Sequence, residues 1–275
     1  MIEIPESATL SSQAEIILVG KKITQVIPAA SPHKFAFYQG DPAGYPELLT
    51  GRQVQSAAGH GMFVDIHLDG DVCLTFGEGT ILRYFAPYEK KPEKHQLLAV
   101  FDDGSFIVCS VAMYGAIFAF SGELDNSYYQ LSLHCTSPLD DRFDEAFFEN
   151  IFRGVTKDLS LKALLATEQR IPGLGNGVLQ DILFNAGLHP KRKMSSLSDF
   201  HKDELFHSLK VTLRRMAEKG GRDTEKDLFG NYGGYKTLLS KNTLQNPCPN
   251  CGHAIVKEAY MGGAVYFCPS CQGMK

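Results

Sequence analysis

The pattern of apolar and polar residues changes twice along the 275-residue chain. Residues 5–19 carry apolar side chains at helical spacing behind Pro5, which predicts an amphipathic helix. From residue 20 to about 135, short β-prone runs alternate with turn signals such as Asp69-Gly70-Asp71. This rhythm predicts a two-sheet β-sandwich of about eight strands. The recognisable strands are 23–27, 34–38, 61–68, 72–76, 97–101, 105–111 and 128–134.

After Pro138 the period of the apolar residues becomes that of helices. Segments 143–152, 161–170 and 177–186 each predict a helix with one apolar face. Residues 199–219 predict a longer amphipathic helix, which Gly220 and Gly221 end. The first half of the chain is therefore β-rich and the second half helical, the pattern of an α+β protein.

Four cysteines follow the helices, and their spacing is C-x2-C-x16-C-x2-C. Each pair turns two thiolates toward one point, and four thiolates form a closed tetrahedral site for Zn²⁺. Disulfides would require an oxidising compartment, and no apolar leader follows Met1. A redox C-x-x-C motif normally accompanies a βαβ pattern, which this sequence lacks. We therefore expect a structural zinc ion without a catalytic role, held by Cys248, Cys251, Cys268 and Cys271.

The charges are distributed unevenly. Residues 1–141 hold 8 Lys and Arg against 17 Asp and Glu, a net charge of −9, whereas residues 142–275 hold 19 against 14, a net charge of +5. If a nucleic acid is the partner, its phosphates should bind the second half. No apolar run reaches the length of a membrane span, and Cys73, Cys109 and Cys135 are typical of buried, reduced thiols. These features predict a cytoplasmic monomer.

A Pro-Gly-x-Gly turn at residues 172–175 separates two of the predicted helices. Gly173 and Gly175 allow a phosphate to approach the main chain closely, and the start of the next helix offers amides and a positive dipole end. Asn176 can cap that helix or donate to a phosphate oxygen. An ordinary helix–helix corner would use the same residues. Phosphate binding and a structural corner both stay open.

The order of these features resembles that of the formamidopyrimidine-DNA glycosylase/endonuclease VIII family of base-excision repair enzymes. The resemblance rests on the start Ile2-Glu3-Ile4-Pro5-Glu6, on residues 171–190 (IPGLGNGVLQDILFNAGLHP) and on the four-cysteine segment 246–272. It implies a β-sandwich with a leading helix over 1–137, a helix-two-turn-helix domain over 138–244 and a zinc finger over 245–275. Damaged or distorted duplex DNA would lie across the cleft between the lobes. The implied DNA contacts are Asn176, Lys162, Gly173 and Gly175.

The residues that carry the family's chemistry are only partly present. The family's N-terminal proline, whose amine attacks the deoxyribose and gives the AP-lyase activity, corresponds to Ile2, while the neighbouring catalytic glutamate is retained as Glu3. Methionine aminopeptidase trims Met before small residues, so Met1 should stay in front of Ile2. The amine would then lie one residue too far out for attack. The family's DNA-binding loop lysine corresponds to His60.

Other family positions have changed as well. The residues that fill the gap left by a flipped-out base correspond to Glu78, Ala112 and Tyr114, although Tyr114 also fits a place in the core. The finger arginine that grips phosphates corresponds to Gly263. Residues 258–267 contain no Lys or Arg, so no shift of the alignment restores that arginine.

Three functions fit these residues. The first is a DNA-binding relative whose glycosylase chemistry is lost or altered. The second is an active DNA glycosylase/AP lyase that uses Lys21, Lys22 or the Met1 amine as a substitute, or Glu3 as a base for water attack. The third is a protein-interaction scaffold. We favour the first because the backbone-binding segments are present and the nucleophile is missing, and we expect no covalent trapping on abasic-site DNA.

Overall fold

The computed structural model describes residues 1–274, which form a β-sandwich, a helical lobe and a C-terminal hairpin. The α-helices are α1 (Ile4–Leu18), α2 (Tyr45–Leu49), α3 (Ser127–His134), α4 (Glu145–Asn150), α5 (Asn176–Asn185) and α6 (Asp199–Glu218). The strands are β1 (Ile23–Pro28), β2 (Ala36–Tyr38), β3 (Val54–His60), β4 (Phe63–Leu68), β5 (Val72–Gly77), β6 (Thr80–Phe85), β7 (Leu97–Phe101), β8 (Phe106–Val111), β9 (Gly115–Ser121), β10 (Val256–Tyr260) and β11 (Gly263–Phe267).

Two sheets face each other in the sandwich. One has the order β1-β7-β8-β6, and the other has the order β2-β9-β5-β4-β3. All neighbours are antiparallel except β2 and β9, which are parallel. Because side chains alternate along a strand, Val72, Leu74 and Phe76 of β5 enter the core between the sheets. Cys73 and Thr75 of the same strand point to the opposite face.

Helix α1 joins the sandwich to the helical lobe. Leu10, Ala14 and Leu18 pack into the sandwich core, whereas Ile4 belongs to the core of the helical lobe with Leu179 and Leu213. The first turn of α1 therefore lies where the two lobes meet. This position brings the N-terminal residues next to the start of α5.

The finger packs on the helical lobe through a small core of its own. Phe184 of α5 contacts a cluster that contains Leu239, Ile255 and Tyr266. Strands β10 and β11 form an antiparallel hairpin, with Glu258 opposite Val265. Within residues 1–274, no helix has both the length and the apolar character that a membrane crossing requires.

The structure corrects several predicted elements. Residues 128–134, predicted as a strand, form α3, because the Asn126 side chain caps the helix at the Tyr129 amide and the buried residues Tyr129 and Ser132 are three apart. Strands β3, β6 and β9 were not predicted, since β3 is rich in Ala and Gly, β6 follows the glycines at 77 and 79, and β9 itself begins with Gly115. The predicted helix 161–170 contains a π-helical turn at Ala163–Thr167.

Candidate functional site

The carboxylate of Glu3 lies at the N-terminus of α5. Its Oε1 accepts a hydrogen bond from the Gly177 amide at 2.9 Å, and its Oε2 accepts one from the Val178 amide at 2.8 Å. An anion is favoured there because the first amides of a helix have no intrahelical partner and the helix dipole is positive at this end. Two of the amides that the sequence offers to a phosphate are therefore occupied by a carboxylate of the protein itself.

Arg222 lies between Glu3 and Glu6, and all three side chains are buried. Its Nη2 is 2.8 Å from Glu6 Oε2, and its Nη1 is 3.5 Å from Glu3 Oε2. Burial raises the pKa of Glu3 above its ordinary value, while the Arg222 charge opposes that rise. The two carboxylates in turn raise the pKa of Arg222. Arg222 therefore holds the carboxylate of Glu3 in place and stays charged itself.

Sequence reasoning did not single out Arg222. A signal was available, because Glu3 and Glu6 are three residues apart, at the N-cap and the third position of α1, and hence on the same side of the helix. Two carboxylates on a buried face require a cation, since an unpaired buried charge is strongly unfavourable. The partner itself is 216 residues from Glu6 in the chain, and only the fold identifies it.

The nitrogen of Ile2 is a peptide nitrogen engaged in a hydrogen bond. It donates to the carbonyl oxygen of Glu78 at 2.7 Å, and the Ile2 side chain is buried in the sandwich core. The Met1 ammonium lies one residue further out and forms an ion pair with Glu225. The ion pair holds the amine against a side chain of the loop that follows α6.

Met1 and Ile2 line a cavity of about 430 Å³. Its wall also contains Thr80, whose buried hydroxyl has no hydrogen-bond partner within residues 1–274. The remaining lining side chains include Glu6, Arg83, Tyr114, Glu225 and Tyr232. We call this space, together with the Ile2–Glu78 hydrogen bond beside it, the amine pocket.

Glu78 and Tyr114, two of the three residues at the family's gap-filling positions, are hydrogen-bonded to each other. The Tyr114 hydroxyl donates to Glu78 Oε1 at 2.9 Å, and burial and the Glu78 charge raise the pKa of Tyr114 to about 12. Tyr114 is half-buried, while Ala112 and the neighbouring Met113 are exposed. The carboxylate of Glu78 is thus held at the pocket rim by Tyr114.

His60 lies at the end of β3 but does not extend into solvent. Its Nε2 is 2.7 Å from Asp65 Oδ2, and Asp65 also accepts hydrogen bonds from the Thr75 hydroxyl at 2.6 Å and the Tyr129 hydroxyl at 2.8 Å. Although burial opposes it, the hydrogen bonds hold the pKa of Asp65 below its ordinary value. His60 therefore belongs to a buried network rather than to an exposed phosphate contact.

Packing within the protein leaves no space for a side chain at Gly173 or Gly175 of the turn. Gly173 has φ of 79°, and a Cβ there would lie 2.2 Å from the backbone of Gly61. A Cβ on Gly175 would lie 2.6 Å from the Glu3 side chain. Close packing of the turn against the β3–β4 hairpin and against Glu3 requires both residues.

Lys162 and Asn176 meet the tip of the finger. Lys162 Nζ donates to the Tyr260 carbonyl at 2.6 Å, and Asn176 Nδ2 donates to the Ala264 carbonyl at 2.8 Å. A Cβ on Gly263 would lie 3.4 Å from Lys162 Nζ and 3.6 Å from Asn176 Nδ2. Burial lowers the pKa of Lys162. These residues, with the turn at 172–175, form what we call the backbone cradle.

The three basic residues 191–193 each form an ion pair or a hydrogen bond with another part of the protein. Lys191 forms an ion pair with Glu258 of the finger. Arg192 donates to the Ser196 carbonyl at 3.3 Å, and Lys193 donates to the Asp158 carbonyl at 2.8 Å. The run therefore ties the finger and the start of α6 to the helical lobe.

The four cysteines that the sequence singled out come together in the finger. Their sulfur atoms lie within 4.8 Å of one another, with Cys248 Sγ 3.8 Å from Cys271 Sγ and Cys251 Sγ 3.4 Å from Cys268 Sγ. The Gln272 side chain donates to the Leu188 carbonyl at 2.9 Å, which fixes this end of the finger to the helical lobe. Four convergent thiolates can hold one metal ion.

Comparison with known proteins places these features in a family context. The chain is 26% identical over 277 residues to the formamidopyrimidine-DNA glycosylase of Shouchella clausii, and the match covers 99% of both proteins. It is 27% identical over 285 residues to the enzyme of the same name from Thermus thermophilus, again with 99% of both chains covered. No family model matches the chain.

Solved structures show the same relationship. The MutM (Fpg) protein of Thermus thermophilus superimposes with a TM-score of 0.81 at 25% identity, covering 99% of both chains. The Fpg protein of Lactococcus lactis, in a complex with DNA that contains N7-benzyl-Fapy-dG, superimposes with a TM-score of 0.83 at 25% identity and covers 98% of this chain. The similarity therefore extends over the sandwich, the helical lobe and the finger.

Proposed function

We propose that this chain, a divergent member of the formamidopyrimidine-DNA glycosylase/endonuclease VIII family, binds DNA through its backbone cradle and does not carry out the family's amine chemistry. The observation that carries the proposal is the state of the Ile2 nitrogen, which is an amide that donates to the Glu78 carbonyl at 2.7 Å. An amide nitrogen shares its lone pair with the carbonyl group, so it cannot attack a sugar carbon.

The Ile2 nitrogen is an amide as long as Met1, or any other residue, precedes it. The Met1 amine lies one residue before this nitrogen and is engaged in an ion pair with Glu225. Attack requires reacting atoms to be roughly 3–3.5 Å apart and aligned with the groups that move protons. An amine that is offset by one residue and paired with Glu225 does not meet this requirement. The loss of the family's lysine at His60 and of its arginine at Gly263 points in the same direction.

Binding of DNA is proposed from the cradle. The Lactococcus lactis relative is bound to lesion-containing DNA in its solved complex, and this chain shares its fold. Lys162 and Asn176 lie at the junction of the turn and the finger, within the half of the chain that carries a net charge of +5. Each donates one hydrogen bond to a finger carbonyl, and an ammonium with three N–H groups and an amide with two retain further donors. Such donors recognise phosphates and carry little base information. We place the protein in the cytoplasm as a monomer that recognises damaged or distorted duplexes.

Zinc is the metal we assign to the finger. Four thiolates in a closed set favour Zn²⁺, and the short segment between residues 246 and 274 has little core of its own. The zinc would fix the hairpin whose carbonyls accept hydrogen bonds from Lys162 and Asn176. Its function is to build the cradle, without any part in bond cleavage.

The chemistry is tested by trapping with borohydride. The purified protein is incubated with duplex DNA that contains an abasic site, the most lenient substrate, and mass spectrometry of the N-terminus establishes whether Met1 is present. With Met1 in place we expect no covalent complex. A complex that forms at the rate of an active family member and maps to the N-terminal peptide would overturn the proposal.

That outcome would support a second candidate, an AP lyase that uses the Met1 amine. The observation in its favour is that Met1 lines the 430 Å³ cavity beside Glu225, a carboxylate able to accept a proton from the amine. The position of the cross-linked residue distinguishes this enzyme from one that uses Lys21 or Lys22.

DNA binding is tested with a double variant, Lys162→Ala with Asn176→Ala. Loss of a charged and a neutral donor should weaken binding by about 10- to 100-fold for every sequence and flatten the salt dependence. Lys193→Ala is the matched control, because it removes the same charge from a residue that donates to the Asp158 carbonyl. Affinity that is insensitive to salt in the unaltered protein would favour the scaffold function instead.

A further inference from the structure

The outer face of the second sheet carries a group of metal-ligating side chains that the proposed function does not use. Asp65 and His67 are two residues apart on β4, so they share a face, and Cys73 of β5 is the direct partner of His67 in the antiparallel pair. One ligand atom from each of the three residues lies within 4.8 Å of the others. This group is in the sandwich, whereas the finger cysteines belong to the opposite end of the chain.

We propose that Asp65, His67 and Cys73 bind one divalent transition-metal ion of the zinc and cobalt class. A thiolate, an imidazole and a carboxylate form a mixed set that suits borderline ions such as Zn²⁺ and Co²⁺. Mg²⁺ and Ca²⁺ require oxygen ligands, and Cu⁺ prefers a set dominated by sulfur. Three protein ligands leave the fourth tetrahedral position for water.

The carboxylate is already oriented for such a role. The Thr75 hydroxyl donates to Asp65 Oδ1, and His60 Nε2 and the Tyr129 hydroxyl contact Oδ2. Ionised carboxylates accept at about four lone-pair positions, so one position is left for a cation. Carboxylates that bind metals are commonly held by such hydrogen bonds.

The surroundings favour a cation that enters from one side. Asp65 and Cys73 are buried, with relative exposures of 0% and 6%, while His67 is half-buried and connects the group to solvent. Among the described residues, His60 is the group paired with the buried Asp65 charge, and the surrounding half of the chain has a net charge of −9. A bound ion would neutralise the carboxylate further and would tie β4 to β5 below α3.

The experiment begins with the zinc-loaded protein, so that the finger is filled, and titrates it with Co²⁺. We expect one further equivalent to bind, with a thiolate-to-cobalt charge-transfer band and an unchanged zinc content of one equivalent. Cys73→Ser and His67→Gln should each remove the band and the additional equivalent. Cys109→Ser is the matched control, because Cys109 is a buried thiol of the same sandwich that faces the core, and it should behave as the unaltered protein.

Two results would overturn this assignment. One is the absence of a cobalt band at concentrations up to a tenfold excess over protein. The other is a band that persists in Cys73→Ser while zinc is displaced, since cobalt would then occupy the finger. Because His67 is half-buried and lies at the edge of the group, His67→Gln tests ligation without emptying the core; circular dichroism verifies its fold. Neither result depends on whether the protein binds or cleaves DNA.

Discussion

The amine pocket and the backbone cradle are connected by Glu3, which follows the pocket residue Ile2 and accepts hydrogen bonds from the first turn of α5, yet the two sites differ in how their polar groups are engaged. On one side of that turn, Glu3 occupies the Gly177 and Val178 amides, and the Ile2 nitrogen is closed into a hydrogen bond with Glu78. On the other side, Lys162 and Asn176 reach the finger, and Asn176 Oδ1 has no partner within residues 1–274.

Under the proposed function, this difference indicates which part of such a scaffold is more easily lost. Amine chemistry depends on one free nitrogen at one position, so a single additional residue before it is enough to abolish it. Backbone recognition depends on elements that the cores of the helical lobe and finger hold together. The proposal therefore expects the cradle to persist where the amine chemistry is absent.

The largest expected effect comes from Ile2→Pro in protein expressed from Met1. Met1 should be removed before proline, which leaves a secondary amine at the place of the Ile2 nitrogen, next to Glu3. Borohydride trapping on abasic-site DNA should rise by at least about 100-fold over the unaltered chain. Gel analysis of the trapped complex measures it.

Ile2→Leu is the control for this substitution, because a bulky residue retains Met1 and preserves an apolar side chain in the core. If the processed Ile2→Pro protein still forms no complex, the amine is not the missing component. The pocket would then be inactive for another reason, such as the Glu3–Arg222 ion pair or the loss of the lysine at His60.

Cys251→Ser should have the next largest effect, and on the cradle alone. Without the metal, residues 246–274 should unfold, and the carbonyls that Lys162 and Asn176 contact would be lost. DNA affinity should fall on the order of 100-fold, while the sandwich keeps its melting transition. Metal analysis and a DNA titration measure both parts. Cys135→Ser, outside the cluster, should change neither, and less than half an equivalent of zinc in the unaltered protein would contradict the assignment.

A smaller gain is expected from Gly263→Arg. The position faces Lys162 Nζ and Asn176 Nδ2 at 3.4 and 3.6 Å from an added Cβ, so a guanidinium there would join the cradle. DNA affinity should increase about tenfold, and the salt dependence should steepen by about one phosphate contact. Gly263→Ala controls for the backbone. Unchanged affinity would show that DNA does not pass this point.

The smallest effect is expected in the pH dependence of stability. It arises from Asp181, which contacts the segment leading to the finger and does not belong to the amine pocket. Burial raises the pKa of Asp181 from 3.8 to about 6, and this carboxylate accepts hydrogen bonds from the Leu238 and Leu239 amides. Between these values the folded state holds more protons than the unfolded state, so stability should fall as pH rises from about 4 to 6. Above about pH 6 this contribution is constant.

Asp181→Asn removes that titration, so the difference in melting temperature between the two proteins should vary with pH only below about 6. Comparison at equal zinc saturation is required, because protons also compete with zinc for the cysteines. A difference that stays constant from pH 5 to pH 8 would contradict the raised pKa.

The sequence predicted the elements whose signals are local. Helices α1, α5 and α6 follow the spacing of the apolar residues along the chain. It was wrong about α3, because a short segment with Tyr and Leu at alternate positions also fits a strand. There the helix is decided by the Asn126 cap and by burial on one side.

By itself, the sequence determined the four-cysteine site, the family resemblance and the replacement of the N-terminal proline by Ile2, since each depends only on residue identity and spacing. The tertiary structure alone decided that Glu3 fills the start of α5, from 174 positions away in the chain. It also decided that Arg222 is the cation between Glu3 and Glu6, and that His60 is paired with Asp65. The physical reason is that a charge buried at a lobe junction takes whichever partner the packing brings to it, and spacing along the chain carries no record of that partner.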